Sequence, residues 1–390
     1  MTGLSLGSLS RGTNAIKARV AIAILALLVV GGCGSSSSGT TSGNTSTDPF
    51  VAIAKANADK ATAPVTTWDG PTTGPKAVSG KSVVCVSEDQ QNGGPAGVCA
   101  GAKEAATAIG WKFQVLDAQG TAAGALNVMN EALALHPDGI INASISIDII
   151  KTQLEQAAKA GIKVVGWHAT TYPGPTADPP EFYNVQSDQV VGGQVLADYV
   201  IASTNGKAGV AIVDWSIFPI AVLKVNSMKE EIQRCRDCKI LSEGDIPLTN
   251  GSQEMPTYVT GLVQKYGSAL TTLMFINDGY ADFSIPAFKA LGIGPAGPPV
   301  MVSFGDGSAS AYQRIRDGQY QTATVPEPLS LSGWQMIDEM NRALSGQPPS
   351  GYVQPVHLVV KGDVNADGGQ NNIFDPNNGY RDVYKKIWGV

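Results

Sequence analysis

The chain has 390 residues, 43% hydrophobic and 7% aromatic, with 15% charged and a net charge of −6. That length holds two domains of ordinary size with full cores, and the negative balance argues against nucleic acid as a partner. The 45 glycines suit an α/β protein with many short helix–strand turns.

In chain order, the first feature is an apolar run, Val20–Val30, with Arg11, Lys17 and Arg19 ahead of it. It is too short to span a bilayer as a helix, which needs ~20 residues, and the pattern predicts a secretory signal peptide over residues 1–32. Val30-Gly31-Gly32-Cys33 resembles the lipobox of bacterial lipoproteins. The resemblance implies that Cys33 is lipidated and becomes the new N-terminus. The protein is then exported to the cell envelope and held on the outer face of the cytoplasmic membrane by its lipid anchor alone. The alternative is an ordinary cleaved signal with an incidental cysteine. Residues 33–47, rich in Gly, Ser and Thr, read as a flexible tether with no means of forming a core.

Residues 48–80 form an N-terminal extension. Its first part, 48–63, reads as a short helix, and Pro64–Lys76 as an extended segment around Trp68. From Ser82 short β-branched runs alternate with amphipathic stretches. Strands are predicted at Ser82–Ser87, Lys112–Leu116, Gly139–Asn142 and Lys163–Trp167, with helices at Ala96–Ile109, Ala122–Leu135 and Ile149–Ala160. Thr171–Pro180, with four prolines, interrupts the rhythm. It restarts with strands at Phe182–Val185, Gly209–Val213, Lys239–Ser242, Leu273–Ile276, Val300–Phe304 and Gln321–Thr324. The helices between and after them are Gln189–Ser203, Ala221–Arg234, Gln253–Tyr266, Ala281–Leu291, Ala309–Asp317 and Ser330–Leu344. A last strand, Val356–Val360, precedes an Asn/Gly-rich tail. Glycine followed by an apolar residue closes helices at Gly110-Trp111, Gly161-Ile162 and Gly292-Ile293, the sequence form of a C-cap. Strands alternating with helices of this length imply βαβ units and parallel sheets.

After Cys33 four cysteines remain, Cys85, Cys99, Cys235 and Cys238. An even count suits an oxidising compartment. Cys235 and Cys238 have CxxC spacing, open to three readings: a redox motif, half a zinc site, or a local disulfide. They end a predicted helix rather than start one, the wrong end for thiol activation, and the three histidines are scattered, which favours the disulfide. Cys85 and Cys99 are candidates for a second disulfide, though sequence alone leaves the pairing open. Gly292–Gly297 matches GxGxxG but follows a helix and leads into a strand, the reverse of a dinucleotide site, and reads as a turn. From Ser82 onward neither a phosphate loop nor a GxSxG elbow is present. Asp363, Asn365, Asp367 and Gly368 resemble half a calcium loop, but position 12 is Phe374. An Asx-rich turn is the favoured reading, and no metal or cofactor is expected.

Ligands of open parallel sheets bind beyond the carboxyl ends of strands. Those ends carry Glu88-Asp89-Gln90-Gln91-Asn92, Trp167-His168, Asp214-Trp215, Asn277-Asp278 and Gly305-Asp306. Each position alone also fits a helix N-cap or turn, and Trp167 and Trp215 equally fit a core. Repeated over five strand ends, carboxylates, amides and indoles are sugar-binding chemistry: polar groups pair with hydroxyls and indole faces stack on pyranose C–H faces.

From about Ser82 to Lys361 the chain resembles type I periplasmic binding proteins of the ribose/galactose group, the sugar-binding components of ABC importers. The resemblance rests on Gln186–Gly193 (QSDQVVGG), Phe275–Asp278 (FIND), Val302–Gly307 (VSFGDG) and Thr322–Glu327 (TATVPE). It implies two doubly wound, Rossmann-like parallel-sheet α/β lobes joined by three hinge crossings near Val185–Ser187, Thr324–Glu327 and Val356–Leu358. The lobes would comprise residues 81–186 plus 326–356, and 187–325 plus the tail segment 357–390. It also implies a monomer that captures a small solute, hands it to ABC permease subunits, and carries out no catalysis. A sensory receptor of the same fold is the alternative. The implied ligand-binding residues are Asp89, Gln91, Asn92, Trp167, His168, Trp215, Asn277, Asp306 and Glu327. Where the family often has Asp-Arg, this chain has His168-Ala169. Where its helix start supplies an Arg, Lys224 is the nearest cation. These departures point to a less usual sugar, a polyol, or another small polar molecule with an apolar face.

Overall fold

The computed structural model describes residues 48–366 and 371–390. The expected signal peptide, the tether and Cys33 lie outside the described residues, as do Asp367 and Gly368. Two six-stranded sheets organise the rest. The first contains β1 (Ser82–Ser87), β2 (Lys112–Asp117), β3 (Gly139–Ala143), β4 (Lys163–Trp167), β5 (Gly174–Ala177) and β6 (Pro180–Val185), ordered β2-β1-β3-β4-β6-β5. The second contains β7 (Gly209–Asp214), β8 (Lys239–Asp245), β9 (Thr272–Phe275), β10 (Val300–Ser303), β11 (Gln321–Thr324) and β12 (Val359–Val360), ordered β12-β11-β10-β9-β7-β8. Pairing is parallel except at the two edges formed by β5 and β12.

The helices are α1 (Phe50–Ala61), α2 (Gly93–Ala108), α3 (Ala122–Ala134), α4 (Lys151–Lys159), α5 (Gln189–Ser203) and α6 (Pro219–Arg234), then α7 (Gly251–Tyr266), α8 (Gly279–Ala290), α9 (Ala309–Asp317), α10 (Leu329–Leu344) and α11 (Tyr380–Trp388). In the first lobe one face of the sheet carries α3 and α4 over Val84, Val86 and Ile140. The other carries α2, α10 and α11 around Trp334 and Trp388. Covered on both faces, β3 is buried at all five positions, and its one polar residue, Asn142, is satisfied by hydrogen bonds with the Ile145 backbone. Helices α2 and α10 cross so closely that a Cβ on Gly333 would lie 2.2 Å from the Ala102 amide nitrogen. Only glycine fits there. The three predicted C-caps form as expected. Gly110, Gly161 and Gly292 have φ of 72°, 77° and 68°, and the next residue's N–H closes back on the helix, as Trp111 does on the Ala106 carbonyl at 2.9 Å.

Three differences from the sequence reading stand out. The proline-rich stretch 171–180 holds β5, which pairs antiparallel with β6 as a sheet edge, where proline's missing donor is tolerated. The last strand shrinks to Val359–Val360. The tail forms α11, whose Tyr380, Tyr384, Ile387 and Trp388 are buried at helical spacing. It packs on α10 of the first lobe, where Trp334 stacks on Trp388 at 5.5 Å, so residues 357–390 do not all belong to the second lobe.

The three crossings are present, and the first and third are bridged between Ser187 and Gln354. The chain ends add two more passages between lobes. Helix α1 packs on α5 of the second lobe, and Ala61 accepts from the Leu358 N–H at 2.9 Å. Trp68 then packs against Tyr352, Tyr380 and Tyr384 in the first lobe. At the other end Phe374 packs with Tyr312 and Ile315 of the second lobe, and Arg381 pairs with Glu104 of α2. Among the described residues no helix is long and apolar enough to cross a membrane. The segment around Asn365 is held by Arg316, whose Nε donates to Asn365 Oδ1 at 3.2 Å.

Both disulfides form, Cys85–Cys99 and Cys235–Cys238. The first ties β1 to α2 across a separation of 14 residues, the second closes a turn of 3. Loop-closure entropy assigns the longer link about 3 kcal/mol and the shorter one less. Denaturant midpoints of Cys85→Ala/Cys99→Ala and Cys235→Ala/Cys238→Ala check this order. A larger loss for the second pair would show that packing, not loop closure, sets it.

Candidate ligand-binding cleft

The carboxyl ends of strands from both sheets converge on one cavity. The first lobe contributes Glu88 beyond β1, Asn92 at the start of α2, Ser144 beyond β3 and His168 beyond β4. The second contributes Trp215 beyond β7, Phe218 and Lys224 around the start of α6, Asn277 beyond β9, Tyr280 in α8 and Asp306 beyond β10. An outer cavity of about 1400 Å³ shares Glu88, Asn92, Trp215 and Asn277 and adds Asp89, Gln91 and Asp282. A third, of about 480 Å³, shares His168 and Phe218 and adds Asp148.

Local backbone aims these groups. Asn92 caps α2, its Oδ1 accepting from the Gly94 N–H. Ser144 and His168 leave their strands with φ of 74° and 52°, a conformation uncommon outside glycine and one that clusters at functional sites. Backbone hydrogen bonds hold the turns, such as Ser144 N–H to the Trp167 carbonyl at 2.8 Å. Asn277 donates from Nδ2 to Asp306 Oδ2 at 3.0 Å, while its Oδ1 accepts from the Gly279 N–H. The neighbouring Asp278 turns inward. It accepts from the Gly307 and Ser308 N–H groups, Thr324 Oγ1 and Gln321 Nε2, so it fixes the loop that presents Asp306. Lys224 is buried, donates to the Phe304 carbonyl at 3.3 Å and lies 4.4 Å over the Phe304 ring.

The two lobes touch around the cavity. A Cβ on Gly94 would fall 2.3 Å from Asp306 Oδ2 of the opposite lobe. One on Gly120 would come within 3.2 Å of the Thr249 methyl.

Asn92, His168, Trp215, Asn277 and Asp306 line the central cavity, and Asp89 and Gln91 only the outer one. Two expected ligand residues do neither. The Trp167 ring is wholly buried beneath His168, stacked on it at 3.8 Å, so His168 presents the aromatic face instead. Glu327 is wholly buried in its hinge crossing, where it accepts from Ser187 Oγ at 2.7 Å and Gln189 Nε2 at 2.9 Å. His168 Nε2 lies 3.3 Å from it. Ser144, Phe218 and Tyr280 were not singled out from the sequence, while Glu88 and Lys224 were noted there, as a strand-end residue and the nearest cation, but not among the implied ligand-binding residues. Glu88 follows β1 directly, and that position was its available signal.

Burial, reinforced by Asp89 and more weakly by Asp306 and Asp117, lifts the Glu88 carboxyl to about 7 against the pull of Asn92. Burial also raises Asp306, with Lys224 and His168 opposing. For Glu327 burial acts upward too, but the contacts with His168, Ser187 and Gln189 outweigh it and bring the group down to about 2.

A family model for a periplasmic binding protein domain matches residues 83–348. No curated protein matches the sequence. Solved structures share the fold. One is an ABC transporter solute-binding protein from Agrobacterium vitis with bound allitol, 20% identical, TM-score 0.65, covering 74% of this chain and 98% of that one. A second from the same organism, bound with alpha-D-tagatopyranose, is 17% identical, TM-score 0.67, covering 76% and 99%. The XylFII–LytSN complex is 18% identical, TM-score 0.61, covering 73% and 99%.

A carboxyl raised on folding holds its proton in the native state after the unfolded chain has lost it. Between about pH 4.5 and about 7 Glu88 therefore makes stability fall as pH rises. Across that window Glu88→Gln is expected to gain stability relative to wild type, by roughly 3 kcal/mol at the upper end. Melting curves of both proteins over the window check it, and a constant difference would show that Glu88 does not titrate there.

Proposed function

Since this chain belongs to the periplasmic binding protein family, we propose that it captures a sugar or polyol between its two lobes and delivers it to an ABC importer. The observation that carries this reading is a cavity built by strand ends of both lobes, with Asn92, Asn277 and Asp306 offering hydrogen bonds beside Trp215. Such a mix orients a polyhydroxy ligand while covering its C–H face. Allitol and tagatopyranose in neighbours of the same fold support the ligand class. Binding works by closure: groups from both lobes are satisfied at once only when the ligand bridges them, which shifts the population toward the closed form. The chain acts as a monomer, exported and anchored through Cys33 so that it stays near the permease. The family is one of binding proteins, and the reading assigns no catalytic step. The XylFII–LytSN neighbour favours a second reading, in which the closed form is presented to a protein partner. Retention of the closed protein by permease-containing vesicles separates the two.

A thermal-shift screen over sugars and polyols tests the ligand class, since binding raises the melting temperature by mass action. With a hit in hand, Asp306→Ala is expected to cost ~1.5–3 kcal/mol of binding, about ten- to over a hundredfold in affinity. Wild-type affinity in that variant would move the site elsewhere. Cys33→Ala is expected to shift the protein from the membrane fraction to a soluble or uncleaved form. If it stays membrane-bound and normally processed, the anchor assignment is wrong.

A further inference from the structure

The charges that face the cleft do not balance. Glu88 and Asp306 line the central cavity, Asp89 and Asp282 the outer one, and Asp148 the third. Lys224 is the one Lys or Arg among the residues lining these three cavities. Asp282 pairs with Arg314 outside them. Lys224 is already engaged with the Phe304 carbonyl and ring, and its field falls on Asp306.

Glu88 is left without a cation. It and Asp306 each retain 8% exposure, so both are buried in the cavity wall. The charged groups acting most on Glu88 are Asp89 on its own loop, Asp306 from the opposite lobe and Asp117 at the end of β2, all acids, with Asn92 as its hydrogen-bond partner; His168, which also lines the cavity, acts with Lys224 on Asp306. Two carboxyls from different sheets thus share one cavity wall, each largely withdrawn from solvent. Like charges there repel, and burying either without a partner is costly. A positive group on the ligand removes both penalties.

We propose that the cleft takes an amine-bearing sugar or polyol, with its ammonium group held by Glu88 under the field of Asp306 and its hydroxyls on Asn92 and Asn277. The inference rests on the reading of the cleft as a sugar or polyol site. An ammonium offers three donors and no acceptor, matching a wall of carboxylate and amide oxygens. Trp215, with Phe218 edge-on to it at 4.7 Å, adds an aromatic face that attracts a cation as well as C–H groups.

Calorimetric titration of the full chain at neutral pH with matched pairs tests this. The probes are D-glucosamine against D-glucose, D-galactosamine against D-galactose, and N-methyl-D-glucamine against D-glucitol. At least one amine should bind about tenfold or more tightly than its hydroxyl partner, as a charge-assisted hydrogen bond implies. Glu88→Gln should shrink that ratio about tenfold, whatever it does to either affinity alone. Asp306→Asn is the second arm, expected to shrink the ratio less. If the hydroxyl partners bind as tightly or more tightly, the amine preference is refuted and the sugar or polyol reading stands. A ratio that survives Glu88→Gln refutes the assignment to Glu88. If no member of any pair binds, the sugar or polyol reading fails and carries this inference with it.

Discussion

The structure turns on one buried carboxylate. Glu327 lies in the second crossing, gathers Ser187 from the first and Gln189 from the start of α5, and approaches His168 at the cleft wall. A charge with no exposed surface persists in a protein only when hydrogen bonds and opposite charge replace its water. Glu327 therefore fixes where the two crossings meet. It also reaches the site: His168 stands between this carboxylate and the cavity, and Trp167 supports its ring from behind. Hinge and cleft share a residue.

A second buried carboxylate, Asp278, does for the second lobe what Glu327 does for the hinge. It gathers donors from the β10–α9 loop and from β11. The adjacent Asn277 points the other way, into the cavity. One strand end thus supplies both a cavity-facing amide and the support for the loop that carries Asp306. This is the division expected of a preorganised site, where the contacting side chains are held by others that never touch the ligand.

Much of the architecture was legible because burial on both faces of a parallel sheet leaves continuous β-branched runs. Ser82–Ser87, Gly139–Asn142 and Lys163–Trp167 announced themselves that way, and helices α2, α4 and α8 ended on glycines whose φ the cap demands. What escaped depends on tertiary partners. The edge strand β5 has no apolar run, since only its pairing with β6 makes it a strand. Helix α11 follows Asn/Gly-rich chain, and its apolar face acquires meaning only against Trp334. In the cleft the side to which a strand-end residue turns was the illegible quantity. Asp89 and Glu88 are neighbours of one charge type, but the inward turn at the end of β1 buries Glu88 and leaves Asp89 to the outer cavity. Trp167 and His168 were resolved likewise by a backbone turn at positive φ.

The added passages of the chain between lobes have a mechanical reading. From Ala61, bonded to Leu358, to Trp68, lodged among first-lobe tyrosines, the chain has seven residue steps, a contour length of roughly 24 Å at full extension. That length is a hard stop. The two anchor points cannot separate beyond it while α1 and Trp68 remain seated. The extension is therefore a leash: it ties the two lobes together by a second route, alongside the three crossings.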